Sequence, residues 1–209
     1  MTVISSFKPL DKSQAITLNQ LRAKESWECV FDSIIYFNAP DFRMASDKTI
    51  FIESEDFPFM SAMFLAAAMT DDITAIVNAD IVVARGLRQV IEREFGRGAG
   101  AMMSFRCEFD PNNPDYKNAK QIDQGLDFFC SAPEIWHMAH KYVPSDYRMG
   151  HIKWDNWLMN FLHHTLSGRF LSDITQQRCV FHPIHEERHR PHPINDEDDP
   201  VFCIGGFKR

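Results

Sequence analysis

The sequence lacks the patterns that identify several common protein classes. No stretch of about 18 apolar residues occurs, so a transmembrane helix is not expected. Residues 59 to 69 are apolar but too few to span a bilayer. The first eight residues do not show the charged-then-apolar order of a secretion signal. With 209 residues, of which 44% are hydrophobic, the chain can bury a substantial core.

Cysteine pairs and an excess of positive charge are also missing. The five cysteines form no C-x-x-C pair, and an odd count without an export signal is typical of reduced thiols, so we expect a cytoplasmic protein. The formal net charge of −7 argues against a broad nucleic-acid surface, which needs a basic face. The same charge suits a protein that recruits a divalent cation.

Three familiar catalytic and nucleotide-binding signatures do not occur. No G-x-G-x-x-G follows a predicted strand and no P-loop lysine motif is present, which excludes the corresponding Rossmann dinucleotide and Walker sites. No G-x-S-x-G elbow is present, which excludes the simplest serine hydrolase.

Strand and helix patterns alternate over the first half of the chain, which predicts right-handed crossovers and a mostly parallel sheet. The predicted strands there cover residues 2–7, 32–38, 49–53, 73–83 and 101–109, and the predicted helices cover 14–27, 59–69 and 85–95. The less regular second half has predicted strands at 126–130 and 179–182 and predicted helices at 133–142 and 154–166. We find no repeat and no clear linker, and expect a single α/β domain.

The segment Asn78-Ala79-Asp80 is the first candidate site. Two apolar, β-branched runs flank it, as in a buried parallel strand. Open α/β sheets bind ligands at the carboxyl ends of their strands, and a carboxylate there can hold a hard divalent cation together with substrate phosphates. A turn or a helix cap is the structural alternative for Asp80.

Two further aspartates and a group of histidines are the other candidates. Asp127 lies in an aromatic strand, where a buried carboxylate needs a partner and serves either function or structural pairing. Asp155 begins a helix beside two tryptophans, either as a cap or as a general base. His182 and His185, with His189 and His192 beyond them, are either metal ligands or solvent-facing side chains.

Taken in chain order, these segments resemble the GT-A class of nucleotide-sugar glycosyltransferases, particularly family-2-like bacterial and viral members. Asn78-Ala79-Asp80 stands where those enzymes carry D-x-D, often seen as N-x-D. Residues 125–129 are similar to their G-x-D-x-F strand. Residues 154–158 resemble the W-D-N-W-L helix start of one subgroup, and residues 182–185 resemble its closing H-x-x-H.

The resemblance spans roughly residues 1 to 192 and implies the fold. That fold is a GT-A-type, Rossmann-like three-layer α/β/α sandwich with a mostly parallel central sheet. It implies a nucleotide-sugar-binding half at residues 1–110, an acceptor and catalytic half at 111–192, and an acidic tail at 193–209.

The resemblance also implies a role for each matching side chain. Asp80, with His185 or His182, would bind a Mn²⁺ or Mg²⁺ ion that bridges the diphosphate of the donor. Asp155 would be the general base that deprotonates the acceptor hydroxyl. Asp127 would orient donor or acceptor hydroxyls. Trp154 and Trp157, whose ring faces suit sugars, would help to orient the acceptor or sugar. The nucleotide pocket would be lined by Ser5, Ser6, Asn38, Asn78 and Asp80.

The implied activity is metal-dependent transfer of a sugar from a nucleotide-diphospho sugar, with UDP as the expected nucleotide, to a hydroxyl acceptor with inversion. The acceptor stays open among a glycan, a protein and a modified nucleobase. Two departures matter: Asn78 replaces the first carboxylate of D-x-D, so we expect modest metal affinity, and Asn38 or Asp41 replaces the aspartate that often reads uracil. The alternatives are an inactive sugar-nucleotide- or glycan-binding protein of the same fold and a metal hydrolase built on His182, His185 and Asp80.

Overall fold

Short apolar runs form the strands of one sheet. The computed structural model describes residues 1–10, 13–54, 58–150, 154–166 and 170–185. In chain order, the strands are β1 (Thr2–Ser5), β2 (Ser33–Tyr36), β3 (Thr49–Phe51), β4 (Thr74–Val77), β5 (Val82–Val83), β6 (Ala101–Phe109), β7 (Lys120–Ser131), β8 (Leu171–Asp173) and β9 (Val180–Pro183). The helices are α1 (Gln14–Glu28), α2 (Met60–Met69), α3 (Leu87–Gly96), α4 (Pro133–Tyr142) and α5 (Trp154–Thr165).

The nine strands share one mixed sheet with the order β3-β2-β1-β4-β7-β6-β9-β5, and β8 pairs with one end of β6. The pairs β1–β2, β2–β3 and β1–β4 are parallel, and β6 is parallel to both β8 and β9. Strand β7 runs antiparallel between β4 and β6, and β5 runs antiparallel to β9. The predicted mostly parallel sheet is confirmed.

Side chains alternate between two apolar cores, one on each face of the sheet. Val3 and Val77 point into one core and Ile4 and Ile76 into the other, as the two-residue period of a strand requires. Helices α1 and α3 cover the first core, and α2, α4 and α5 cover the second. The predicted three-layer α/β/α arrangement is therefore confirmed.

The helices follow their apolar spacing and their end signals. In α3, residues Leu87, Val90 and Ile91 are buried on one side. Helix α4 begins with Pro133, whose fixed φ suits a first helical turn, and its bounds match the prediction. Helix α5 buries Trp157 and Leu158, among others, against the second core. Among the described residues, no helix is both long and apolar enough to cross a membrane.

Most predicted strands differ from the observed ones by a few residues, and two differ substantially. The strand predicted at residues 73–83 is interrupted after Val77 by a turn, closed by a hydrogen bond from the Ile81 N–H to the Asn78 carbonyl at 3.2 Å. The apolar pattern continues past this turn because Ile81 is buried and β5 then pairs elsewhere in the sheet. The strand predicted at 126–130 is longer, because β7 pairs with β6 almost throughout its length. Strand β8 was missed, since three half-exposed residues give no periodic signal.

Candidate active site

The turn after β4 lies at the topological switch point of the sheet. The chain leaves β1 toward β2 on one side, whereas β4 borders β1 on the other side. Ligands of open α/β sheets bind in the crevice that such a reversal creates. The turn that carries Asn78 and Asp80 therefore stands beside the loop that follows β1.

Two side-chain amides hold the loop after β1 in place. Asn38 accepts a hydrogen bond from the Phe7 N–H at 2.7 Å and donates one to the Phe7 carbonyl at 3.0 Å. Gln20 pairs with Lys8 in the same way, at 2.6 Å and 3.0 Å. Each amide satisfies both backbone groups of one loop residue. As a result, the exposed Lys8 has a fixed backbone at the edge of the crevice.

The pairing of β5 with β9 brings two histidines to Asp80. The antiparallel register aligns Val82 with Phe181, so the residues before β5 meet those after Phe181. Oδ2 of Asp80 lies 2.9 Å from Nε2 of His185 and 3.7 Å from Nε2 of His182. The three side chains offer metal-ligand atoms within 4.8 Å of one another. We refer to Asp80, His182 and His185 as the His–Asp cluster.

The protonation states of the His–Asp cluster suit a cation. Burial acts to raise the pKa of Asp80, but the hydrogen bond with His185 and the charges of His182, His185 and Lys8 outweigh it, so this pKa lies well below its usual range. Burial lowers the pKa of His182 by more than the neighbouring Asp80 raises it. An ionised carboxylate and a neutral imidazole are the forms that bind metal ions. Nδ1 of His182 is buried and has no hydrogen-bond partner in the described part of the chain.

A second group of polar side chains lies on the other side of the same turn. Asp127 on β7 is 4% exposed, and its Oδ2 lies 2.7 Å from Nη1 of Arg106 on β6. Its Oδ1 accepts a hydrogen bond from Nδ2 of Asn78 at 2.5 Å. Arg106 also contacts Oε1 of Glu108 at 3.3 Å. We refer to Asn78, Arg106, Asp127 and Asp155 as the carboxylate cluster.

Gly125 makes room for the guanidinium of Arg106. Its φ of +77° lies in the region that favours glycine. A Cβ atom at this position would stand 2.9 Å from both Cζ and Nη1 of Arg106. The glycine of the predicted G-x-D-x-F strand is therefore explained by this close approach.

Asp155 is included in the carboxylate cluster because its charge interacts with those of Asp127 and Arg106. It lies in the first turn of α5, as predicted. Burial first, and then the charge of Asp127, raise the pKa of Asp155 to about 6, while backbone N–H groups of Asp155 and Asn156 and the charge of Arg106 oppose this shift. A carboxylate with such a pKa is ionised at pH 7 and is a stronger base than an ordinary aspartate.

Three predicted pocket residues have structural partners instead. Ser5 is fully buried, and its hydroxyl donates to the Val77 carbonyl at 2.8 Å, so it supports the crevice without lining it. The amide of Asn38 is engaged by the loop after β1. Asn78 donates to Asp127 and thereby links the two clusters. Ser6 is half-buried beside Ser5.

The two tryptophans predicted to hold a sugar lie in the core. Trp157 is 8% exposed and stacks on Phe64 and Phe161, with ring centroids 6.1 and 5.2 Å apart. Trp154 is 3% exposed, and its ring meets the edge of Phe129 at 5.7 Å. The side chain of Trp157 also lines a cavity together with Met138 and Asn160. Both residues belong to the second core, and their contact with a sugar stays a prediction.

Sequence reasoning missed three charged residues of the site. Arg106 and Glu108 occupy alternate positions of a mostly apolar strand. Because buried charges need partners, this spacing could have predicted a paired polar site on one face of the strand. Lys8 lies in an irregular loop and had no such signal. The predicted histidines 189 and 192 and the acidic run 196–199 lie outside the described residues.

Comparisons with known proteins find similar folds among solved structures only. No protein-family model matches the sequence, and a search of curated proteins finds no match. Among solved structures, TarS 1–349 from S. aureus in complex with UDP-GlcNAc is similar with a TM-score of 0.57 and 11% identity. This match covers 90% of the present chain and 59% of the TarS chain.

Two nucleotidyltransferase structures are similar at lower scores. One is a protein from Bacillus anthracis described as a glucose-1-phosphate thymidylyltransferase, with a TM-score of 0.50, 10% identity and coverage of 83% of this chain and 85% of that one. The other is 4-diphosphocytidyl-2C-methyl-D-erythritolsynthase from Anaerococcus prevotii, with a TM-score of 0.50, 10% identity and coverage of 83% and 87%. At these identities the likeness shows the fold alone. It is the Rossmann-like fold shared by GT-A glycosyltransferases and nucleotidyltransferases.

Proposed function

We propose that the protein is a metal-dependent glycosyltransferase that moves a sugar from a nucleotide-diphospho sugar to a hydroxyl acceptor. One observation supports this most: Asp80, His182 and His185 converge at the switch point, although the two histidines lie about 100 residues after Asp80 in the sequence. Asp80 and His185 are 105 residues apart. The similarity in fold to TarS, whose structure contains UDP-GlcNAc, favours a UDP-sugar as the donor.

The His–Asp cluster fits a divalent ion. An octahedral ion with ligands at about 2.1 Å separates adjacent ligands by about 3 Å and opposite ones by about 4.2 Å. The separations of 2.9 and 3.7 Å from Asp80 to the two imidazoles are compatible with shared coordination. Two nitrogen ligands favour a transition metal such as Mn²⁺ over Mg²⁺, which prefers oxygen. When bound, the ion would neutralise the negative charge of the departing diphosphate as a Lewis acid.

The residues of the chain supply the remaining steps. Lys8, exposed at the edge of the crevice, would bind the diphosphate of the donor. Asp155 would accept the proton of the acceptor hydroxyl, since its raised pKa of about 6 suits a general base near neutral pH. Asp127 would accept hydrogen bonds from donor hydroxyls. Attack by the acceptor opposite the leaving diphosphate inverts the anomeric centre.

The direct test screens UDP-, GDP- and CMP-sugars with Mn²⁺ by thermal shift and then measures release of the nucleoside diphosphate with candidate acceptors. The Asp80→Ala variant should lose both the Mn²⁺ response and turnover, by about 10² or more. Asp71→Ala, which changes an exposed aspartate, is the control. Full metal-dependent turnover by Asp80→Ala would reject the proposed site, and the same assay with glycan, protein and hydroxymethylated DNA acceptors would identify the acceptor class.

Nucleotidyl transfer is the second candidate, because two of the similar structures are nucleotidyltransferases. In that reaction the nucleophile is a sugar phosphate, which is largely ionised near pH 7 and needs no general base. The raised pKa of Asp155 therefore favours glycosyl transfer. Pyrophosphate released from UTP and a sugar 1-phosphate, with no UDP released from UDP-sugars, would establish this second candidate instead.

A further inference from the structure

Arg106 carries a positive charge into the interior of the carboxylate cluster. Its side chain is 11% exposed, and its two terminal nitrogens contact Asp127 at 2.7 Å and Glu108 at 3.3 Å. Buried ion pairs rarely add stability beyond what apolar packing would give. A role in the reaction therefore explains this arrangement better than a role in stability alone.

We propose that Arg106 is a positioning residue, which holds the carboxylate of Asp127 in one orientation so that Asp127 presents a fixed edge to the hydroxyls of the donor sugar. This inference rests on the proposed function. Oδ2 of Asp127 faces Arg106 and Oδ1 faces Asn78, so each oxygen has one partner among the described residues. A carboxylate oxygen accepts about two hydrogen bonds. One acceptor position on each oxygen thus stays available at a defined angle.

The local sequence is adapted to this contact. Residue 125 is a glycine opposite Arg106, and any side chain there would meet the guanidinium at 2.9 Å. The bulge in the pairing between β6 and β7 lies in the same region, between Phe105 and Cys107. Irregular pairing of this kind often re-aims a side chain beside an active site. Gly125 and the bulge together let a long cation lie flat against β7.

The kinetic test compares Arg106→Lys with the wild type. Lysine keeps the charge but cannot reproduce the planar guanidinium contact. We expect kcat to fall about tenfold to a hundredfold while the donor KM changes less than about threefold, because a misoriented Asp127 affects the transition state more than binding. Arg97→Lys, at a site with a 68% exposed side chain, is the matched control and should match the wild type. A wild-type kcat in Arg106→Lys would overturn the proposal.

A double-mutant cycle tests whether Arg106 acts through Asp127. If it does, Arg106→Lys should cause less than about a twofold further loss in an Asp127→Asn background. Fully multiplicative losses would show that the two residues act independently and would overturn the proposal.

Two glycine variants separate the contact from backbone strain. Gly125→Ala inserts a methyl group against the guanidinium, whereas Gly98→Ala has a similar φ of +94° with nothing within 4 Å. Both should lose stability from the positive φ, but only Gly125→Ala should reproduce the kcat loss of Arg106→Lys. Equal kcat values for the two glycine variants would contradict the proposed contact.

A measurement without substrate distinguishes this inference from the proposed function. In an arginine-selective ¹⁵N spectrum, a guanidinium held by Asp127 should show slowly exchanging Nη signals. These signals should disappear in Asp127→Asn and Gly125→Ala and persist in Gly98→Ala. Their absence from the wild type would overturn the positioning role. Their presence in a protein that turns over no donor would reject the proposed function while leaving the Arg106–Asp127 contact established.

Discussion

The two sides of the crevice are built differently. In the His–Asp cluster, His185 and Asp80 are partly open, with side-chain exposures of 28% and 18%, whereas His182 is buried. In the carboxylate cluster, the ion pair of Asp127 and Arg106 is nearly closed, with exposures of 6% and 11%, whereas Asn78 and Asp155 are half-buried. The open side is suited to ions and phosphates that come and go, whereas the closed side is already fixed by its own ion pair. Under the proposed function, one side would be loaded from solution, whereas the other is preorganised.

The largest expected effect lies on the closed side. Asp155→Asn should reduce kcat by about 10² to 10⁴, because the variant has no general base. Raising the Mn²⁺ concentration should not restore activity, since the loss is not one of metal binding. Initial rates over a series of Mn²⁺ concentrations check this, and recovery at high Mn²⁺ would erase the distinction between the two sides.

The same substitution should stabilise the protein at high pH. The pKa of Asp155 is near 3.8 in the unfolded chain and about 6 in the folded protein, so the folded state binds more protons between these pH values and stability falls as pH rises through them. Above pH 6 the full cost of about 2–3 kcal/mol is present. Asp155→Asn should remove it.

Unfolding by urea at pH 5 and pH 8 measures this effect. The stability gain of Asp155→Asn over the wild type should be larger at pH 8 by about 1 kcal/mol. A gain that is equal at both pH values, or larger at pH 5, would show that burial does not hold the Asp155 proton as described.

A smaller effect is expected on the open side. His185→Ala should reduce turnover at low Mn²⁺ by about 10- to 100-fold, through weaker metal binding, and saturating Mn²⁺ should recover most of the loss. His164→Ala changes an exposed histidine of α5 and serves as the control. A loss that Mn²⁺ cannot reverse would place His185 in catalysis rather than in metal loading.

The smallest effect is expected at the edge of the crevice. Lys8→Met should raise the donor KM about fivefold with little change in kcat, because an exposed charge contributes about 1 kcal/mol to binding. The effect should diminish as ionic strength rises from about 0.05 to 0.5 M, since salt screens exposed charges. A KM change that is independent of salt would indicate a structural role for the Lys8 loop.

The sequence predicted the sheet and the helices better than the site. Alternation of strands and helices was sufficient for the layers, because each element buries one apolar face. The position of Asp80 followed from the rule for strand ends. The burial of Ser5 and the two tryptophans and the hydrogen bonds of Asn38 did not follow, because sequence position cannot tell a buried hydroxyl or ring from an exposed one. Arg106 was missed because its partner, Asp127, is 21 residues away on the next strand.

The location of β9 has a consequence for the order in which the protein matures. This strand lies between β6 and β5, although it is the final strand in the described part of the chain. A ribosome must therefore synthesise residue 183 before this part of the sheet can close, and residue 185 before the second imidazole can reach Asp80. A chain that stops before residue 182 would contain Arg106, Asp127 and Asp155 but neither imidazole that faces Asp80. Under the proposed function, such a chain could not hold the ion.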